Sequence, residues 1–94
     1  MKKELVKLPK TTLDIYKYEK DGLSFFEFDA TECEPPEPMV NTMNTLVHVK
    51  EPNQRLRVLF FHEPHPLYLK IDEFFEHSSR ELEDGNVEVI FKRK

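Results

Sequence analysis

Five of the seven prolines in this 94-residue chain fall in two short runs, Cys33-Glu34-Pro35-Pro36-Glu37-Pro38-Met39 and His62-Glu63-Pro64-His65-Pro66-Leu67. A proline ring fixes φ and removes the backbone N–H, so neither run can be a strand interior or the middle of a helix. Each must be a connection. Each is also suited to lead into a helix, because a proline in the first helical turn loses no hydrogen bond.

The flanking residues fit that frame. After Pro38, Met39, Met43, Leu46 and Val47 recur at the spacing of one buried helical stripe, with Asn41, Thr42, Asn44 and Thr45 mostly on other faces. After Pro66, Leu67, Ile71, Phe74 and Phe75 repeat the pattern. The spacing predicts helices near 38–49 and 66–77, the second closed by His77-Ser78-Ser79. Before the runs lie β-prone stretches near 23–29 and 55–61, and Val87, Val89 and Phe91 alternate in a last strand near 87–92. The stretch Arg55–Phe61 is apolar on both faces and is expected at the centre of a sheet. Asp21-Gly22, between two β-prone arms, predicts a hairpin whose first arm is an edge strand. Residues 1–11 read as a loosely held lead-in, residues 12–94 as one domain, and Arg80–Glu83 as a weak strand candidate with little to bury.

The expected fold is therefore an α/β two-layer sandwich, β-α-β-α-β-β, with an extra N-terminal edge strand hairpinned to the first core strand. A right-handed β-α-β link places both helices on one sheet face. The opposite face would carry Phe25, Leu59, Phe61 and Ile90, open to water, to a partner, or to a second copy in a homodimer. Parallel pairing of the first two core strands would bring both proline runs to one rim, where open α/β sheets bind ligands.

Composition narrows the function classes. Eighteen acidic against fourteen basic side chains give a net charge of −4, which disfavours a nucleic-acid backbone binder. Eight Phe and three Tyr in a chain that is 38% hydrophobic argue for a packed core rather than disorder. No apolar run approaches the roughly 20 residues of a membrane span. A single cysteine forms no internal disulfide, so a reducing, cytoplasmic setting is expected.

With this element order and Pro36-Glu37-Pro38-Met39 at the first helix, the chain resembles the TusA/SirA-like sulfur-carrier superfamily over about Phe28 to Arg93. In that superfamily a strand end like Asp29-Ala30 leads to Cys-Pro-x-Pro at the start of helix one. Here Pro35 holds the cysteine position. That departure, with Glu63-Pro64-His65-Pro66-Leu67-Tyr68 at the second helix, resembles the cysteine-less branch of bacterial domains of unknown function that carry PPEPM and (D/H/R)-(D/E)-P-x-P-L-Y motifs. The resemblance implies the sulfur-carrier fold and an occasional association with hemerythrin-like or redox modules. It implies no persulfide transfer at Pro35, since a pyrrolidine ring has no nucleophile.

The chemistry-bearing residues gather in the two runs. Glu37, His62, Glu63 and His65 are the candidate ligand-binding residues, and His62 and His65 the candidate ligands of a divalent metal. Pro64 and Pro66 prevent the helix that a His-Glu-x-x-His site needs, so any chelate would be a loop chelate. Cys33 is the candidate thiol, but its acidic neighbours Glu32 and Glu34 should raise its pKa. His48 and His77 sit in expected last helical turns and carry no assigned role. No Ser-His-Asp signature, phosphate loop or zinc-finger spacing is present. The sequence thus favours a non-catalytic accessory or binding domain, taking a polar small molecule, a metal or a protein partner at the rim. The alternatives are sulfur or redox transfer through Cys33 and an oligomerisation module using the open sheet face.

Overall fold

The computed structural model describes residues 2–94. The Asp21-Gly22 hairpin forms as its sequence dictates: both residues have positive φ, 54° and 80°, the geometry of a type I′ turn. It joins β2 (Ile15–Lys20) to β3 (Leu23–Asp29). The chain then passes through the first proline run into α1 (Glu37–Leu46) and returns as β4 (Gln54–Phe60), parallel to β3. The second run leads into α2 (His65–Ile71), followed by the hairpin of β5 (Phe75–Glu81) and β6 (Val87–Arg93). Among the described residues six strands form one mixed sheet in the order β1-β2-β3-β4-β6-β5, where β1 is Glu4–Val6.

Pairing register sorts the side chains by face. Phe26, Phe28, Leu56, Val58, Phe60, Val87, Val89 and Phe91 share one face and form a single core with Leu46, Leu67, Tyr68 and Ile71 from the helices. Full burial of a side chain such as Phe28 or Phe91 contributes about 2–3 kcal/mol each. As expected, β4 is central, between β3 and β6, and both helices cover the same face.

Three expectations are corrected. The N-terminal segment read as a lead-in contributes strand β1, so β2 is not the sheet edge. The second helix ends at Ile71 instead of near 77: Phe75 is buried at the start of β5, Phe74 is exposed, and His77, Ser78 and Ser79 are strand residues. Strand β5 is exposed from Glu76 to Glu81, an edge strand with no apolar alternation to betray it.

The third correction concerns α1, whose polar side chains face inward. Asn41, Thr42 and Thr45 are buried with Leu46, whereas Val40, Met43 and Val47 are exposed. Asn41 makes this workable. Its Oδ1 accepts from the backbone N–H groups of Thr12 (2.8 Å) and Leu13 (3.2 Å), and its Nδ2 donates to Thr12 Oγ1 and to the Glu37 carbonyl, both at 2.9 Å. All four of its hydrogen-bonding positions are filled. Asn44 donates to the Lys10 carbonyl and Thr42 back to the Pro38 carbonyl. The N-terminal segment is thereby bolted across α1, with Leu8 and Leu13 packed on the core.

The second sheet face is not the bare apolar patch expected from Phe25, Leu59, Phe61 and Ile90. Phe25, Leu59 and Ile90 are half-buried and Phe61 alone of the four is exposed. The register sets Glu27 opposite Arg57 and Glu88 diagonal to Arg57 on the same face, among them. Arg57 bridges Glu27 (2.9 Å) and Glu88 (2.6 Å), Lys3 reaches Glu27 (2.6 Å), and Arg80 reaches Glu88 (3.1 Å). Tyr18, stacked on Phe25, donates to Glu27 at 2.7 Å. Partial burial disfavours the ionised Glu27, but hydrogen bonds from Lys3, Tyr18 and Arg57 outweigh it and hold the carboxyl below its ordinary range.

Two outcomes follow. Replacing Asn41→Ala strands two backbone N–H groups in a buried site and should cost about 2–3 kcal/mol in urea unfolding. Met43→Ala should stay within about 0.5 kcal/mol, the range of an exposed position; the stripe read from the sequence requires the opposite order. The Glu27 ladder should give an acid-labile component. Because the native pKa is depressed, its contribution is full above the unfolded value of 4.5 and is lost as pH falls through the lower native value. Unfolding free energies measured between neutral pH and pH 3 should fall less steeply for Glu27→Gln than for the parent chain.

Candidate functional site

Since β3 and β4 run parallel, the loops leaving them emerge at the same sheet edge. The Ala30 N–H donates to the Leu59 carbonyl at 2.8 Å, stitching the first loop to the second strand as the pair ends. Beyond this point the two proline runs face each other across a cavity of about 310 Å³. The first run and helix entry contribute Ala30, Cys33, Pro35, Pro36, Pro38 and Met39. Strand end β4, the second run and α2 contribute Phe60, Phe61, His62, Glu63, Pro64, Pro66 and Leu67. Prolines line both walls because each loop must end in a helix start without spare N–H groups. The result is a wall with few backbone donors. Phe61, 59% exposed, stands at the mouth with the His62 ring 4.4 Å from its own.

Three of the five candidate residues, Cys33, His62 and Glu63, line this cavity; Glu37 and His65 do not. Glu37 is committed to the N-terminal segment, accepting from the Thr12 hydroxyl at 2.6 Å. His65 lies edge-on to Tyr68, 6.0 Å between ring centres, while the His62 ring lies against Phe61. The Glu63 carboxylate accepts from the Tyr68 hydroxyl. That bond lowers its pKa against the effect of partial burial, with Ser79, His65 and His77 adding to the lowering. Burial, then the Glu63 carboxylate, pushes the Tyr68 phenol up in return. The Tyr68 ring is stacked on His77 at 3.5 Å between centres. Glu63 therefore ties the start of α2 to β5.

Among the described residues no group of three or more His, Cys, Asp or Glu is placed to hold a metal ion. The sequence did not flag Phe60, Phe61, Met39 and Leu67 as site residues. Phe60, Met39 and Leu67 read as core and Phe61 as part of the open sheet face, and only the parallel pairing brings them to the rim.

Cys33 is half-buried, and its pKa is raised by burial first, then by the Glu37 carboxylate, with Asp29 and Glu32 adding to it. The direction matches the sequence expectation, although Glu37 rather than Glu34 is the leading charge. At neutral pH the sulfur is a thiol, a weak hydrogen-bond donor and a poor nucleophile. Alkylation of Cys33 by iodoacetamide should therefore have its midpoint above 9.0, the ordinary value for a thiol, and Glu37→Gln should bring that midpoint down. A parent midpoint below 9.0 would contradict the placement of these charges.

No helix among the described residues is long and apolar enough to cross a membrane. Neither the curated proteins nor the solved structures include a match to this chain. A family model described as "Uncharacterized conserved protein (DUF2249)" matches residues 27–93, the span from β3 through β6 that contains both proline loops and both helices. The chain belongs to the DUF2249 family.

Proposed function

We propose that this chain is a non-catalytic binding domain whose rim cavity receives a small, mainly apolar ligand. The observation that carries the reading is the lining: five prolines with Met39, Phe60, Phe61 and Leu67, against only three polar groups. Carbon-rich walls with a few placed polar groups are the usual make-up of small-molecule sites, and about 310 Å³ lies at their lower end. A single ring or a short aliphatic chain fits that size. The ligand class differs from the polar molecule or metal suggested by the sequence, because Glu37, Glu63 and His65 are engaged with Thr12 and Tyr68.

The finer likeness to TusA-like sulfur carriers belongs to this reading. In such a fold the first proline loop is where a carrier keeps its thiol, and here the same loop would hold a ligand non-covalently. The raised pKa of Cys33 speaks against sulfur or redox transfer, and the ion-pair ladder makes the second sheet face a poorer oligomer surface than bare apolar residues would. A lone thiol suits a cytoplasmic setting.

Titration with indole, p-cresol and hexanoate, followed by the methyl resonances of Met39 and Leu67, tests the reading. At least one probe should give saturable shifts, and Phe61→Ala, at an exposed position, should weaken that probe by up to about tenfold, the worth of one aromatic contact. A parallel Zn²⁺ titration should leave His62 and His65 without saturable change. Saturation of the histidines by Zn²⁺, or no response of Met39 and Leu67 to any organic probe, defeats the proposal.

A further inference from the structure

The outward stripe of α1 poses a separate question. Val40, Met43 and Val47, spaced as one helical face, are 41%, 39% and 60% exposed, and Phe74, just beyond α2, is 56% exposed. Soluble monomers seldom leave several large apolar side chains together without use. Between the carboxyl-terminal turns of α1 and α2, Met43, Val47 and Phe74 border a groove of about 280 Å³, on the helix layer and away from the rim. Its floor is Leu46, Ile71 and Phe75.

The charged residues of the groove are Lys70 and Arg93, and no carboxylate lines it, in a chain of net charge −4. Arg93 lies over the Phe75 ring at 5.5 Å, and the Lys94 N–H donates to the Phe74 carbonyl, which holds residues 93 and 94 beside the groove. Neither Lys70 nor Arg93 has an ion-pair partner among the described residues. Of the nearby acids, Asp72 stands 3.8 Å from His77 and Glu76 is within 3.9 Å of Lys92.

We infer that this groove docks an amphipathic helical segment of a partner protein, one with an apolar stripe flanked by carboxylates. Two side-by-side helices with a gap between them form a seat for a third, and anchors at i, i+3 or i+4 and i+7 match helix-in-groove recognition. Complementary charge at the rim of such a seat sets partner choice and association rate more than affinity. A second copy of this chain is the poorer occupant. A two-fold contact is self-complementary, so it would bring Lys70 and Arg93 of both copies to one interface whose lining offers no carboxylate.

The proposal is independent of the rim cavity, and its test uses different residues. The probe is a 16-residue helical peptide with Leu at i, i+4, i+7 and i+11 and Glu on the flanking positions; the control carries Lys at those positions. Backbone NMR shifts of the full chain should move at Met43, Val47, Lys70 and Phe74 with the Glu peptide, at least about tenfold more tightly than with the control, a difference of about 1.4 kcal/mol. Val47→Asp, at an exposed site, should abolish binding with the remaining spectrum unchanged. Lys70→Glu with Arg93→Glu should reverse the preference to the Lys peptide. Equal or tighter binding of the Lys peptide to the parent chain overturns the proposal. So do shifts confined to the proline loops, self-association in sedimentation that buries the groove, or no saturation by either peptide up to about 1 mM.

Discussion

Parallel pairing of β3 with β4, from Ser24 opposite Gln54 to Asp29 opposite Leu59, is the constraint on which the rest of the molecule rests. A parallel pair cannot be joined by a tight turn, so the chain must cross over through α1 to reach the second strand. Both loops then leave at one edge, both helices start there, and their carboxyl ends finish together at the far side. The cavity and the groove are the two ends of the same inter-helix seam. An antiparallel pair would have separated the proline runs by the length of a strand and left neither.

How much of this could be read from residues depends on the range over which each residue's environment is set. The type I′ turn at Asp21-Gly22 was legible because positive φ is a local property, and the strand at 54–60 because its apolar run has no other use. The proline runs were legible as connections for the same reason. Helix α1 was misread because the partners of Asn41 are residues 12 and 13, and no periodicity within residues 37–46 announces them. An amide that meets four hydrogen-bonding groups is as much an interior residue as a leucine, and sequence patterning cannot distinguish it from a solvated one. Thr45 is the unfinished part of that substitution: its hydroxyl is buried without a partner among the described residues.

At the rim, too, partners that the motif does not announce engage residues the sequence singled out. Glu37 and Glu63 look like a pair of ligating carboxylates across two loops. Each is instead drawn off by a hydroxyl from elsewhere, Glu37 by Thr12 and Glu63 by Tyr68. What remains facing the cavity is mostly carbon, with a thiol held protonated by burial and nearby negative charge. Four of the acidic residues fasten elements: Glu27 and Glu88 across the sheet, Glu37 to the N-terminal segment, Glu63 between α2 and β5.

The two margins of the sheet carry a consequence of their own. Strand β1 offers only three residues, and β5 presents Glu76, His77, Arg80 and Glu81 along an exposed edge. Short or charged margins resist the addition of further strands, which is how soluble proteins avoid stacking edge to edge into fibrils. A visitor that binds by extending the sheet would find little backbone to pair with at one end and hydrated charge to displace at the other. Both margins thus carry features that discourage growth in the plane of the sheet.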